Sequence, residues 1–279
     1  GGFVGGAVAG GFDLKEETAE TFSIGFVFNP DYNKWLEPLA ISVDYFDIEI
    51  TDAIGTLSRQ TSLNRCYGNG DDTVTTFDPN SAFCSNVFRF SAGPSLGATD
   101  QVNSFTQNLA SIKTSGIDLQ ASYTLDIADM FGSQTDYGIL GFSANYQYLD
   151  TYEVESIPND GFADSVGTQG LSEHEGLFGV VYDYGPLTLA VDTTWIGETA
   201  EDYDFLTSDF EIGDRFFTDV QARYRVADTM TLIFGVDNVA DEFVPTGVGI
   251  SNGGTGQYTN DAVYDSLGRR YYAGFRLDF

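Results

Sequence analysis

Two cysteines are the residues whose chemistry the sequence constrains most. Cys66 and Cys84 are the only cysteines among 279 residues, and each lies in a polar stretch, "NRCYGNG" and "SAFCSNV". A pair that closes a short loop fits an oxidising compartment such as the periplasm or the cell exterior. Such a disulfide would stabilise the fold by about 3 kcal/mol in the chain-entropy model. Two free thiols are the alternative. Zinc is disfavoured, because there is no second cysteine pair and the one histidine, His174, is distant.

Catalytic and cofactor motifs have little support. The segment "LSEHEG" places Ser172 and Glu173 beside His174, but sequence neighbours do not form a triad by adjacency. The Gly-rich start "GGFVGGAVAGG" lacks the strand-to-helix setting of a dinucleotide site. The acidic run "GETAEDYDFLTSDFEIGD" could offer oxygen ligands to calcium, but it lacks EF-hand spacing, and a solvated loop is the favoured interpretation. We therefore expect neither an enzyme nor a cofactor-binding protein, with a hydrolase as a minor alternative.

The charge balance excludes several partners. Twelve Lys and Arg face 42 Asp and Glu, which gives a formal net charge of −30. Nucleic acid is excluded, because phosphate binding requires clustered cations. Docking on anionic cytoplasmic lipid is disfavoured for the same reason.

Period-2 alternation dominates the chain and predicts nine long antiparallel strands. One face of each is apolar: residues 116–125 place Ile117, Leu119 and Tyr123 opposite Asp118 and Gln120. The predicted strands are 18–28, 38–50, 116–125, 139–149, 177–184, 187–195, 215–226, 229–237 and a last strand that ends the chain. Their apolar faces are largely free of charge, and their other faces are too polar for the core of a β-sandwich.

The connections alternate between short and long. The long ones, rich in polar residues and Gly, lie near 52–110, 150–175, 197–213 and 239–267. Strands of about 9–13 residues with alternating loop lengths are typical of an up-and-down transmembrane β-barrel with short periplasmic turns and long extracellular loops. Aromatic residues recur near predicted strand ends, as in interfacial girdles: Tyr45, Tyr148, Tyr184, Trp195 and Tyr224. A soluble β-sandwich or β-solenoid is the alternative.

The strand count predicts an incomplete barrel. Bacterial single-chain barrels usually have even strand numbers, and nine strands that start outside and end inside cannot close neatly. We expect residues 1–279 to be a single partial barrel domain, the C-terminal part of a larger barrel.

Several segments resemble the TonB-dependent outer-membrane receptors. The similar stretches are "DLKEETAETFSIGFVF", "ISVDYFDIEITDAI", "KTSGIDLQASYTL", "GVDNVADEFV" and "GRRYYAGFRLDF". The resemblance implies about nine C-terminal strands of a 22-stranded barrel, with the plug domain absent from this sequence. It also implies that the chain's end is an outer-membrane insertion signal, formed by Tyr272, Gly274, Leu277 and Phe279.

The same resemblance implies a function for the parent protein. That function is TonB-coupled uptake of a scarce nutrient, such as a siderophore-iron complex, cobalamin or an oligosaccharide, across the outer membrane of a Gram-negative bacterium. The implied partners are the small ligand, outer-membrane lipid and lipopolysaccharide, the barrel-assembly machinery, and TonB through the missing N-terminal plug region. A passive porin-type channel and a soluble β-rich binding or adhesin module are the alternatives.

Two groups of side chains are candidates for contacts in such a barrel. Arg215, Arg223 and Arg225 lie on the polar face of one predicted strand. They would face the lumen and pair with plug carboxylates or contact an anionic ligand. Aromatic residues in the predicted loops could stack on a sugar or a catecholate, or pack the loops together: Tyr67, Phe77, Phe83, Tyr203, Phe205, Phe210 and Tyr258.

Overall fold

The computed structural model of the chain describes most of its residues. The described positions are 6, 8–9, 14–31, 33–67, 79–81, 83–157, 160–201, 210–243, 263–265 and 267–278. For positions 8, 9, 105, 109, 201 and 210 only the backbone is described.

Strands make up most of the described secondary structure. They are β1 (Val8–Ala9), β2 (Thr18–Phe28), β3 (Leu39–Thr56), β4 (Val87–Arg89), β5 (Thr99–Val102), β6 (Ser104–Asp126), β7 (Ile139–Glu155), β8 (Ala163–Asp164), β9 (His174–Tyr184), β10 (Leu187–Ile196), β11 (Thr199–Glu201), β12 (Phe210–Ile212), β13 (Arg215–Ala227), β14 (Met230–Asp237) and β15 (Arg270–Leu277). The two α-helices are α1 (Arg59–Tyr67) and α2 (Ile127–Met130), and a 3-10 helix spans Cys84–Asn86.

The nine long strands form one sheet in which sequence neighbours are spatial neighbours. The order is β2-β3-β6-β7-β9-β10-β13-β14-β15, with β1 and β8 attached to β6 and β7. Each successive pair from β7 to β15 is antiparallel. The prediction of nine long strands in an up-and-down arrangement is therefore confirmed. Within the described residues the path ends at β2 and β15, so these strands do not close a barrel.

Two compact units can be distinguished along the chain. The first comprises Gly1–Glu20, Ile48–Lys113 and Glu153–Ala163, and the second comprises Thr21–Asp47, Thr114–Tyr152 and Asp164–Phe279. Five apolar side chains of the first unit are buried: Ala53, Leu57, Cys66, Val102 and Ile157. The second has a small cluster of Ile196, Ile212 and Tyr264, with Phe217 and Val263 packed against it.

The apolar face of the sheet is not covered by a second layer of protein in the described part of the second unit. Phe26 is 64% exposed and Phe275 is 66% exposed, although both are large and apolar. The same holds along the intervening strands for Phe142, Phe178, Val180, Leu189, Val191, Phe216, Tyr224 and Phe234. A soluble sandwich would bury these residues between two sheets, whereas a barrel wall presents them to lipid.

Several strands are longer than the sequence pattern predicted. β6 begins at Ser104 rather than near residue 116, and β3 continues to Thr56 rather than ending at residue 50. The connection between them also contains α1 and the hairpin of β4 and β5. The alternation of apolar and polar residues weakens where a strand no longer separates two environments, although its backbone ladder can continue. The extensions were therefore not visible in the sequence.

Candidate functional site: the polar face, the aromatic rows and the disulfide-linked loop

Backbone register places polar residues from neighbouring strands on one face. Gln147 pairs with Glu175 between β7 and β9, and Gly179 pairs with Asp192 between β9 and β10. Asp192 in turn pairs with Asp219 on β13. Because residues opposite each other in a ladder point to the same side, these side chains share one surface. We call this surface the polar face.

Arginines occupy the polar face only on β13 and β15 among the described strands of the second unit. The predicted candidates Arg215, Arg223 and Arg225 all lie on β13. Arg215 forms an ion pair of 2.8 Å with Glu242, so it already has an anionic partner within the chain. Arg223 donates to the side chain of Gln221, whose Nε2 donates to Tyr272 Oη at 2.7 Å. Arg223 therefore belongs to a network that links β13 with β15.

The opposite, apolar face carries a row of stacked rings near one end of the strands. His174 stacks with Tyr148, Tyr146 and Trp195, with ring centroids 5.4, 6.1 and 6.2 Å apart. Trp195 continues the row to Phe216 at 6.2 Å, with the two planes only 5° apart. The hydroxyl of Tyr146 lies 2.9 Å from Nδ1 of His174. The row thus spans four strands, β7, β9, β10 and β13.

A second aromatic group lies near the opposite ends of these strands. Tyr182 and Tyr184 stack at 6.4 Å, and Tyr182 Oη donates to the carbonyl of Tyr137 at 2.8 Å. On β9, His174 and Tyr184 are ten residues apart, or about 33 Å along the strand. At a tilt of about 45° this is a height of about 23 Å, close to the roughly 25 Å of a barrel's apolar band. The two groups therefore have the spacing of interfacial girdles.

The first unit contains the disulfide and its neighbours. Cys66, at the end of α1, is bonded to Cys84, and the Cα atoms are 4.8 Å apart. Cys66 is almost fully buried, as is Val102. The Arg89 guanidinium lies 5.0 Å from the centroid of the Tyr67 ring and donates to its hydroxyl. These contacts connect α1 to β4.

Charged contacts add to this loop. Arg65 pairs with Asp160, and their side chains are only 14% and 26% exposed. The Lys113 Nζ atom lies 4.4 Å from the Phe162 ring centroid and 3.6 Å from Glu49 Oε1. Neither pair was expected from the sequence, because their partners are far apart along the chain. No local motif would have revealed them.

The Ser172–His174 segment does not form a nucleophile–base pair in the structure. Ser172 is buried and its Oγ donates to the Gly197 carbonyl at 3.3 Å. His174 instead contacts Tyr146 through Nδ1, and its Nε2 lies 4.0 Å from Glu173. The Ser172 hydroxyl is therefore hydrogen-bonded to the backbone, and the His174 imidazole is one of the rings of the aromatic row.

Other residues singled out in the sequence are only partly described. Tyr272, Gly274 and Leu277 lie on β15, with Leu277 opposite Met230, while Phe279 is outside the described residues. Among the loop aromatics, Tyr67 and Phe83 are described. Phe77, Tyr203, Phe205 and Tyr258 lie outside the described residues, and Phe210 is described only by its backbone.

Two further features of the described ranges concern metal binding and membrane-spanning helices. Among described residues, no three or more His, Cys, Asp or Glu side chains are grouped to hold a metal ion. Much of the acidic run considered for calcium, residues 202–209, lies outside those ranges. In the part of the chain that the structure describes, no helix has the length and apolarity to cross a membrane.

The meandering sheet, with an exposed apolar face and a polar reverse, has the pattern of part of the wall of an outer-membrane β-barrel. The family model for the TonB dependent receptor-like β-barrel matches residues 1–239. The chain therefore belongs to the TonB-dependent receptor-like β-barrel family, as the sequence motifs indicated. Receptors of this family lie in the outer membrane of Gram-negative bacteria.

Solved structures of similar fold are receptors and transporters. A variant of the ferric enterobactin receptor PfeA from Pseudomonas aeruginosa is similar over 95% of this chain and 32% of its own, with a TM-score of 0.60 and 16% identity. The FrpB iron transporter from Neisseria meningitidis has a TM-score of 0.58 and 15% identity, covering 98% and 33%. The siderophore receptor PirA from Acinetobacter baumannii has a TM-score of 0.57 and 16% identity, also covering 98% and 33%.

The chain spans about a third of the length of these structural relatives. At such low identity the similarity concerns the fold alone. No curated protein sequence matches the chain.

Proposed function

We propose that this chain is the C-terminal barrel part of an outer-membrane receptor that imports a scarce nutrient with energy delivered through TonB. The observation that carries the proposal is the aromatic row and the second aromatic group on an uncovered apolar face, spaced by about the thickness of a barrel's membrane band. Family membership over residues 1–239 supports it independently.

The orientation of the strands follows from their connections. The long connections after β3, β7, β10 and β14 would be extracellular, and the turns after β2, β6, β9 and β13 periplasmic. Arg215 and the disulfide of Cys66 and Cys84 would then lie at the extracellular side, where ligands arrive. Arg223 and Arg225 would face the lumen farther along β13.

The substrate class is a small, scarce nutrient that a passive pore cannot concentrate. Ferric siderophores, cobalamin and oligosaccharides are all compatible with the barrel. A metal-containing nutrient is the first to test, since solved relatives include an iron transporter and a siderophore receptor. TonB would act through the plug region, which lies outside this sequence. The barrel-assembly machinery would recognise the insertion signal formed by Tyr272, Gly274, Leu277 and Phe279. Outer-membrane lipid and lipopolysaccharide would surround the apolar face.

The test uses the full-length receptor that contains this chain. We expect the receptor to be recovered in outer-membrane fractions as a heat-modifiable band. Growth under nutrient limitation and uptake of the labelled nutrient should both be lost when either the receptor or TonB is deleted. A protonophore should stop uptake but leave surface binding intact. Uptake that is independent of TonB, with steady conductance in planar bilayers, would instead identify a passive porin. Recovery in the soluble fraction without detergent would rule out both membrane functions.

A further inference from the structure

Two turns at one end of the sheet expose large apolar side chains. The first turn joins β2 to β3 (residues 29–38), and the second joins β6 to β7 (residues 127–138). Trp35 is exposed in the first turn and Met130 in the second, where Phe131 is 70% exposed. Turns usually carry small or polar residues, and large apolar side chains exposed together mark an interaction surface. We call these three side chains, with the exposed Tyr137, the turn surface.

Hydrogen bonds within each turn hold the backbone that carries these side chains. In the first turn, the Glu37 backbone donates to the Asn33 carbonyl at 2.8 Å. In the second turn, Asp126 Oδ1 accepts from the Ala128 backbone at 2.9 Å and caps α2. The exposed side chains are therefore carried by hydrogen-bonded turns.

Tyrosines of the apolar face contact both turns. Tyr123 Oη donates to the Trp35 carbonyl at 3.0 Å, and Tyr182 Oη donates to the Tyr137 carbonyl at 2.8 Å. The Tyr123 ring lies beside that of Phe142 on the same face, with the centroids 6.5 Å apart. The turn surface is therefore continuous with the apolar face of the sheet and not with its polar face.

The two turns are also joined to each other. Lys34 Nζ lies 2.9 Å from Asp129 Oδ1, which links the first turn to α2. Within the second turn, the rings of Phe131 and Tyr137 meet edge to face, with centroids 6.4 Å apart. The turns therefore form one surface at the rim of the sheet.

The charge of the two turns distinguishes between lipid headgroups. Their carboxylates are Asp31, Glu37, Asp129 and Asp136, and their one cation is Lys34, which pairs with Asp129. The remaining carboxylates repel a headgroup that carries only negative charge, whereas an ammonium group attracts them.

We propose that the turn surface anchors the barrel wall in the periplasmic leaflet of the outer membrane, and that it selects zwitterionic phospholipids whose headgroup ends in an ammonium group. This inference rests on the proposed function, because the two turns are periplasmic only in the orientation given there. Tyr and Trp favour the boundary between hydrocarbon and headgroups, and membrane binding strengthens with the apolar area that is buried. Lipid is the occupant because the turn surface extends the face that lipid already covers in a barrel.

The experiment measures contact between single positions and lipid in the full-length receptor reconstituted into vesicles. A cysteine that carries a fluorophore replaces Phe131, and nitroxide-labelled phospholipids in the vesicles quench the fluorophore on contact. Leu96, in the turn between β4 and β5, is the matched control, because it is apolar, 68% exposed and predicted to be extracellular. Val180→Cys, on the apolar face, reports whether the wall itself meets lipid. We expect quenching at positions 131 and 180 to be about threefold stronger than at position 96.

Headgroup selection is measured on the same labelled receptors. Nitroxide-labelled phosphatidylethanolamine and phosphatidylglycerol are compared at equal mole fraction in phosphatidylcholine vesicles. We expect phosphatidylethanolamine to quench position 131 about twofold more strongly, and the two lipids to quench position 180 equally, because that position is far from the headgroups. Glu37→Gln with Asp136→Asn should abolish the difference at position 131. This pair of changes removes two charges but leaves an oxygen at position 136 that can accept from the Gly138 backbone.

Each outcome decides one part of the inference. Quenching at position 131 no stronger than at position 96 would overturn the anchor, whether water, a second copy of the chain or another protein covers the turn surface. Equal quenching by the two headgroups, or stronger quenching by phosphatidylglycerol, would overturn the lipid selection. Each labelled variant is first checked for the heat-modifiable band, and Met130→Cys reports on the same surface if Phe131→Cys does not fold. A folded receptor quenched at position 180 but not at 131 refutes only the anchor, whereas one quenched at neither position refutes the proposed function itself.

Discussion

The Arg215 guanidinium and the Glu242 carboxylate lie 2.8 Å apart and connect the start of β13 with the segment after β14. Asn238 holds that segment, because its Oδ1 accepts from the Glu242 backbone at 2.7 Å and its Nδ2 donates to the Glu242 carbonyl at 3.1 Å. The Asn238 backbone in turn donates to Asp219 at 2.7 Å. A continuous series of polar contacts therefore runs from Asp219 through Asn238 and Glu242 to Arg215.

This series of contacts predicts that replacing Asn238, which carries no charge, destabilises the fold more than replacing the charged Glu242. Asn238→Ala removes two hydrogen bonds of a buried side chain and should lower the free energy of unfolding by about 2 kcal/mol. Glu242→Gln keeps the backbone contacts and loses only a partly exposed ion pair, so we expect about 1 kcal/mol or less. Urea unfolding of the full-length receptor in detergent measures both. Val239→Ala, at an exposed neighbour, is the control, and an Asn238 variant as stable as this control would contradict the prediction.

The disulfide should stabilise its own loop and leave the strands intact. Replacing Cys66 and Cys84 together by serine releases a closure of 18 residues, which is worth about 3 kcal/mol in the chain-entropy model. We expect protease cleavage within the first unit to accelerate on living cells, while the heat-modifiable band persists. Reduction of the native receptor should reproduce the effect, and reduction of the double variant should add nothing. Loss of the heat-modifiable band would show instead that the strands depend on this bond.

Two adjacent valines provide a test of which face meets lipid. Val180 lies on the apolar face and Val181 on the polar face near the middle of β9, and they are 37% and 36% exposed. Val180→Arg should cost about 2–4 kcal/mol, because a cation at the bilayer midplane loses its hydration. Val181→Arg should cost much less, since its side chain would lie in the polar interior. The free energy of folding into lipid vesicles is measured for each full-length variant by titration with guanidinium. Because the two valines lie at the same depth, equal losses of folding free energy would contradict the assignment of faces.

The sequence predicted the long strands because each separates an apolar from a polar environment, as Ile117 and Asp118 illustrate. It did not predict α1, whose segment "RQTSLNRCY" has no apolar periodicity and is held by Cys66 and its neighbours. It could not predict that Asp192 faces Asp219, because register depends on how two strands align. The lumenal role of Arg215, Arg223 and Arg225 stays a prediction, although their side of β13 is now defined.

Two glycines in the connection between β6 and β7 allow the cost of backbone strain to be measured separately from the cost of steric crowding. Gly132 and Gly138 both have positive φ, 59° and 86°, a region where a Cβ costs about 1–2 kcal/mol. A Cβ on Gly132 would meet nothing within 4 Å, whereas on Gly138 it would lie 2.4 Å from the Asp183 carbonyl oxygen and 2.9 Å from the Tyr182 ring. Because that carbonyl belongs to the backbone of β9, the contact cannot be relieved by a side-chain rotation.

Gly132→Ala should therefore lose only the conformational term, about 1 kcal/mol. Gly138→Ala should lose at least 2 kcal/mol, because the pairing of Ile139 with Asp183 must also shift. The difference between the two variants in urea unfolding isolates the crowding, since their conformational terms are similar. Equal stability of the two variants would mean that β7 and β9 separate at this end without cost, and that the turn does not fix the register of the pair.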